Sequence, residues 1–118
     1  MLRVFTYIRR ASFEPSTDAD IDPFGAWFEA HPYATRCADF KDLGVSGLTA
    51  PPQRAGFAAL LTAMAADKAD FVLVYRWADL GRSHLMSSFA RHLIDQRGAD
   101  LLSVSEPVAA HPSAPAVA

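Results

Sequence analysis

The sequence has little that would staple or anchor a small protein. Its 118 residues hold one cysteine, Cys37, so no internal disulfide can form, and no second thiol or close histidine pair offers a metal clip. No apolar run approaches the ~18 residues of a membrane span. Met1-Leu2-Arg3-Val4 opens into strand-like sequence rather than a signal peptide. A reducing, cytoplasmic, bacterial-type setting without membrane association is expected. Lysine is scarce as well: nine of the eleven basic residues are Arg, and with thirteen acidic residues the net charge is −2. That balance argues against a free-standing nucleic-acid binder whose affinity comes from phosphate neutralisation alone. Beside 22 alanines, the arginine bias reads either as GC-rich codon usage or as a preference for bidentate phosphate contacts. Position has to decide.

What is present suits one compact domain. Apolar residues make up 51% of the chain and charged residues 20%, and a chain of this length buries enough surface to fold without metal or disulfide. Leu2-Arg3-Val4-Phe5-Thr6-Tyr7-Ile8 is β-branched and aromatic, which predicts a strand. Residues 10–20 read as a loop. Asp22-Pro23 looks like an N-cap followed by proline at N1, with Phe24, Trp27 and Phe28 on one face of a short helix ending near Pro32. A second strand fits Thr35 to Phe40, and Asp42 to Gly47 with Pro51-Pro52 form a turn-rich stretch. Phe57, Leu60, Leu61 and Met64 mark a helix from about Arg54 to Asp67. The apolar run Ala69 to Tyr75 predicts a central strand buried on both faces. Leu85, Phe89 and Leu93, flanked by Met86 and Ile94, give a further amphipathic helix closed by Gly98 at C′. Leu101 to Val104 is a fourth strand, and Val108 to Ala118 an Ala/Pro-rich tail expected to stay disordered.

Alternating strands and helices imply an α/β three-layer sandwich with a mostly parallel sheet of four to five strands, its ligands lying beyond the strands' carboxyl ends. Those ends carry Arg9 and Arg10, Asp42 to Gly47, Arg76 to Arg82, and Ser105 with Glu106. Several guanidinium groups beside hydroxyls are shaped for phosphate; against that stands the ordinary polarity of loops. Other motifs fail. Asp18, Asp20, Asp22 and Glu29 have calcium-loop spacing, but Pro23 sits where the turn needs glycine. His84 and His92, eight residues apart, are too far apart on a helix for one metal ion. No nucleophile elbow and no glycine-rich phosphate loop is present. Of the aromatic residues, Trp77 alone sits beside charged neighbours in a loop, where it could stack on a base.

Four blocks in order carry a family resemblance: Tyr7-Ile8-Arg9, Asp42-Leu43-Gly44-Val45-Ser46-Gly47, Arg54-Ala55-Gly56-Phe57 and Leu80-Gly81-Arg82-Ser83, with Ser103 to Pro107 as a last core strand. Together they resemble the catalytic domain of serine recombinases, the resolvase and invertase family, over residues 2 to 107. The resemblance implies a resolvase-like fold and metal-free, cofactor-free phosphoryl transfer, in which a serine attacks the scissile DNA phosphate and fixed cations stabilise the charge. By block position Arg9, Arg54 and Arg82 match the family's catalytic arginines and Ser46 its turn serine. Arg9, Arg10, Ser46, Arg54 and Arg82 are the expected phosphate-binding set.

The departures fall where the chemistry would happen. The family's Tyr-x-Arg-x-Ser ends in the nucleophile, and the matching position is Ala11. Ser12 is adjacent and recovers Arg-x-Ser only if the strand end carries one extra residue as a bulge. The family's Asp-Arg before Leu-Gly-Arg is replaced by Ala78-Asp79, exchanging a cation for an acid. The long dimer helix and DNA-binding domain that follow in the family are not expected within these 118 residues, which would then be either a fragment of a longer chain or a stand-alone remnant. A domain of residues 1–107 impaired in strand cleavage is therefore expected: a binding or regulatory remnant with weak DNA affinity or a protein partner, monomeric or weakly self-associating. The alternative is an active recombinase catalytic domain, exchanging DNA strands through a phosphoserine intermediate at Ser12 and needing a DNA-binding partner or a C-terminal part outside this sequence.

Overall fold

The computed structural model describes residues 2–11 and 22–106. The elements run β1 (Leu2–Arg10), α1 (Gly25–Ala30), β2 (Ala34–Leu43), a 3-10 turn (Pro51–Gln53), α2 (Ala55–Ala66), β3 (Phe71–Val74), a second 3-10 turn (Trp77–Asp79), α3 (His84–Asp95) and β4 (Asp100–Ser103). The four strands form one sheet in the order β2-β1-β3-β4, all parallel. This is the α/β fold expected, with four strands among the described residues.

β1 supplies both cores because alternate side chains leave a strand on opposite faces. Phe5 and Tyr7 join Phe57, Leu60, Met64, Val72, Val74, Ala90 and Ile94 on the face covered by α2 and α3. Val4 and Ile8 join Phe24 and Leu73 on the face covered by α1. β3 is buried on both faces, as its continuous apolar run predicts: Val72, Leu73 and Val74 are fully buried. Thr6 satisfies its hydroxyl by donating to Asp39 Oδ1 at 2.6 Å.

Local details depart from the sequence reading in five places. β2 continues through Leu43, so Asp42 and Leu43, expected in a turn, end the strand paired with Arg9 and Arg10 of β1. α1 starts two residues later than the Asp22-Pro23 cap suggests: its N-cap is Phe24, and Asp22 Oδ1 accepts from the Phe24 N–H at 3.3 Å. α3 ends at Asp95 with Gln96 as C-cap, so Gly98, at φ +81°, lies one position beyond C′. α3 turns only part of the expected stripe inward, with Leu93 packed against the core. Ala90 and Ile94 are buried and Met86 is half-buried, while Leu85 and Phe89 are 71% and 37% exposed. Gly81 packs against the start of this line, where a Cβ would lie 2.6 Å from Met86 Cβ. Trp77, finally, is 6% exposed in the core under the second 3-10 turn and offers no stacking surface. The expected tail from residue 108 and the loop at 12–20 lie outside the described residues.

Candidate functional site

The carboxyl ends of β1, β2 and β3 bring together the four sequence blocks. Asp42, at the end of β2, is 4% exposed and organises the floor. Its Oδ1 accepts from the Gly56 N–H at 2.7 Å, and its Oδ2 accepts from the Phe57 N–H at 3.0 Å and the Tyr7 hydroxyl at 2.7 Å. α2 needs this help, because its N-cap is Arg54, which makes no side-chain cap hydrogen bond. A carboxylate from a neighbouring strand fills the role of the missing cap. Burial and the Asp42 carboxylate push the Tyr7 phenol pKa upward, so Tyr7 stays a neutral donor.

Arg54 and Arg9 are turned inward. Arg54 is 1% exposed, donating from Nε to the Thr49 carbonyl at 3.0 Å and from Nη1 to the Asp79 carbonyl at 3.4 Å. Arg9, 7% exposed, donates from Nη1 to the Val45 carbonyl at 3.0 Å and from Nη2 to the Ala78 carbonyl at 2.8 Å. Each guanidinium thus ties two loops together across the strand ends. Burial, then the neighbouring Arg54 charge, lowers the Arg9 pKa. Among the described residues Arg9 Nε and Arg54 Nη2 have no hydrogen-bond partner, which leaves each one buried donor unspent.

Gly47 marks where the blocks meet. A Cβ there would lie 2.6 Å from Arg82 Cβ and 3.0 Å from Arg9 Nη2, and the Arg82 N–H donates to the Gly47 carbonyl at 2.9 Å. Arg82 and Ser46 are both exposed, and the Ser46 hydroxyl accepts from the Leu48 N–H at 3.0 Å. Arg10 is half-buried at the last residue of β1. The five expected phosphate-binding residues therefore occupy one end of the sheet in two layers, with Arg9 and Arg54 inside and Arg10, Ser46 and Arg82 outside.

β1 also bears on the nucleophile position. The one register irregularity between β1 and β2 falls at Val4/Phe5, where Cys37 is the extra residue and lies on β2. From Phe5 opposite Ala38 to Arg10 opposite Leu43 the pairing is regular, so β1 carries no added residue up to Arg10. Alternation gives position 11 the same parity as Tyr7 and Arg9. Ala11 is exposed. Ser12 lies outside the described residues.

Asp79 is not the outward acid that its place in the sequence suggests. It is 1% exposed, and its Oδ2 accepts from the Tyr75 and Arg76 N–H groups at 3.2 and 3.3 Å. The carboxylate caps the 3-10 turn instead of facing a ligand. Glu106 acts similarly, accepting from the Trp77 N–H at 2.6 Å. Neither cap is visible in the sequence, since Asp79 and Glu106 stand in loops and only the three-residue spacing of Arg76 and Asp79 hints at one.

Burial raises the Asp79 pKa from the ordinary 3.8 to about 6. A folded-state pKa above the unfolded one means that the contribution to stability is fullest below about pH 4 and is lost as pH rises through about 6. Asp79→Asn keeps an oxygen for the two N–H groups and removes the charge. Relative to the parent, this variant should therefore gain stability between pH 4 and pH 7, by up to about 3 kcal/mol from a shift of roughly two pKa units. Urea unfolding of both chains at pH 4, 5.5 and 7 measures it, and a stability difference independent of pH would contradict it.

Against known proteins the geometry finds clear counterparts. The family described as Resolvase, N terminal domain, matches residues 4–116. The chain belongs to that family. Among solved structures, this resolvase-type domain is similar to the N-terminal catalytic domain of TP901-1 integrase, with 26% identity, a TM-score of 0.73, and coverage of 90% of this chain and 79% of the other. It shares its fold with the C-terminal catalytic domain of ISC1926 TnpA, an IS607-like serine recombinase, at 23% identity and TM-score 0.71, covering 87% of this chain and 70% of that one. A resolvase family site-specific recombinase from Streptococcus pneumoniae has the same fold at 15% identity and TM-score 0.62, covering 96% and 80%. No curated protein matches the chain. The resolvase-type domain contains no helix long and apolar enough to cross a membrane among the described residues.

Proposed function

We propose that this resolvase-type domain engages DNA phosphate at the carboxyl end of its sheet without cutting it, acting as a binding or regulatory member of a site-specific recombination system. The observation that carries this reading is Ala11. It has the parity of Arg9 on a strand whose register runs without an added residue through Arg10, and a methyl group cannot attack phosphorus.

The arginine frame divides the work. Arg9 and Arg54 hold the loops from inside and keep one spare donor each, while Arg82 and Arg10 with the Ser46 hydroxyl supply the outer contacts. No metal or organic cofactor enters this reading. With a net charge of −2 the domain's own affinity for DNA is weak, and a protein partner or a longer assembly would bring it to its site. On this reading the domain is monomeric or weakly self-associating.

Weak, salt-sensitive binding of a short oligonucleotide is therefore expected by fluorescence polarisation at low ionic strength. Arg82→Ala should weaken it about threefold to tenfold, the worth of one charge-assisted phosphate contact. Arg97→Ala is the control, because Arg97 follows α3 and spends Nη1 on the Leu93 carbonyl at 2.9 Å. Equal losses in both variants, or no binding at low salt, would contradict the proposed phosphate face. The absence of cutting is read separately, as a protein–DNA adduct on a denaturing gel; an adduct abolished by Ser12→Ala would establish the alternative enzyme.

A further inference from the structure

Arg76 lies outside the expected phosphate-binding set, yet it belongs to the same end of the sheet. It follows β3 by two residues and is the N-cap of the second 3-10 turn. That turn anchors the arginine frame: its Ala78 carbonyl accepts from Arg9 Nη2 at 2.8 Å, and its Asp79 carbonyl accepts from Arg54 Nη1 at 3.4 Å. Three guanidinium groups therefore meet on one short turn and its cap. Their charges interact. Burial first and the Arg54 charge second lower the Arg9 pKa, and the Arg76 charge adds to the lowering.

Burial separates the roles of the three. Arg9 and Arg54 are 7% and 1% exposed, each fixed to loop carbonyls, so they stay in place. The Arg76 side chain is 53% exposed and can reorient. It forms an ion pair with Asp79, with Nε 3.7 Å from Oδ1, which is too long for a hydrogen bond. The Asp79 carboxylate is 1% exposed and held by the Tyr75 and Arg76 N–H groups, so it cannot travel with the guanidinium. A phosphate that offers two oxygens to the planar fork of Arg76 outbids so loose a pair.

We infer that Arg76 is a further phosphate ligand of this face, paired with Asp79 when DNA is absent and turned from it to a backbone phosphate when DNA is bound. The inference rests on the phosphate face proposed above, and it adds to that face both a residue and a competitor. Asp79 never touches the ligand and weakens binding by holding Arg76 back. At pH 7.5, above the Asp79 pKa of about 6, both members of the pair are charged.

Fluorescence polarisation with a single-stranded oligonucleotide at pH 7.5, over a series of low salt concentrations, tests it. Arg76→Ala should weaken binding about threefold to tenfold and make the salt dependence shallower by roughly 0.7 in log–log slope, the share of one phosphate contact. Arg76→Lys should restore the slope. Asp79→Asn should tighten binding about twofold to fivefold in the parent and by clearly less in the Arg76→Ala background. Arg76→Ala keeps the backbone N–H that Asp79 accepts from, and an unchanged circular dichroism spectrum verifies the fold. Weakening by Arg82→Ala but not by Arg76→Ala would overturn the inference and leave the phosphate face standing. No binding by the parent, or no loss in either variant, would overturn the phosphate face and the role of Arg76 with it. An equal gain from Asp79→Asn with and without Arg76 would overturn the pairing, because the carboxylate would then act through the other arginines.

Discussion

Asp42→Ala is expected to cost about 4 kcal/mol of folding stability, a large share of the total for a domain of this size. The carboxylate receives three hydrogen bonds, from the Tyr7 hydroxyl and the Gly56 and Phe57 N–H groups, in a site that is 4% exposed. Removing it strands three buried donors, each at about 1–3 kcal/mol, with only partial relief from entering water. Arg54, the N-cap of α2, cannot take over, because a guanidinium only donates hydrogen bonds and the stranded groups need an acceptor. Denaturant unfolding measures the change as a drop in midpoint at constant slope. A loss below 1 kcal/mol would mean that α2 caps itself.

Gly56→Ala should be comparably severe, on the order of 3 kcal/mol or more, for a reason that lies in space rather than in conformation. A Cβ at this position would stand 2.2 Å from the Lys41 carbonyl oxygen and 2.9 Å from Asp42 Cγ. The first obstacle is backbone in β2, which cannot swing away, so the amino end of α2 would have to lift from the strand and break the Asp42 contacts. Because the two changes damage one junction, the double variant should lose clearly less than the sum of the single losses. Gly98→Ala provides the contrast, since no atom lies within 4 Å of its Cβ position and φ +81° is the only obstacle; about 1 kcal/mol is expected there. Thermal and urea unfolding of the three variants would show this order, and equal losses at Gly56 and Gly98 would refute it.

The strands and the long helices were legible because periodicity carries them. Ala69 to Tyr75 reads as a buried central strand and the 57-60-61-64 spacing as the inner face of α2, and both are so. The inner face of α3 was less legible. The apolar positions 85, 89 and 93 form as good a stripe as 86, 90 and 94, and the choice of Ala90, Ile94 and Leu93 for the core rests on packing with residues far along the chain, such as Phe57 and Val72. The site was half legible. Sequence blocks bring Arg9, Arg54, Arg82 and Ser46 to one end of the sheet, but nothing local says that Arg9 and Arg54 point inward to carbonyl groups contributed by other segments. Asp79 is the sharpest case. As a letter it is an acid in place of a cation, and in the fold it is a buried cap whose charge is held away from any ligand.

A phosphoserine bond to DNA, formed or not formed by the full chain, separates a binding domain from a working recombinase most directly. The measurement is incubation of the full chain with supercoiled DNA carrying candidate sites from the source genome, followed by denaturing electrophoresis and mass spectrometry for protein-linked 5′ ends. The parent chain and Ser12→Ala should both give no adduct, because Ala11 offers no oxygen where Arg9's face of β1 ends. An adduct formed by the parent and lost in Ser12→Ala would contradict the account and make Ser12 the nucleophile of a working recombinase.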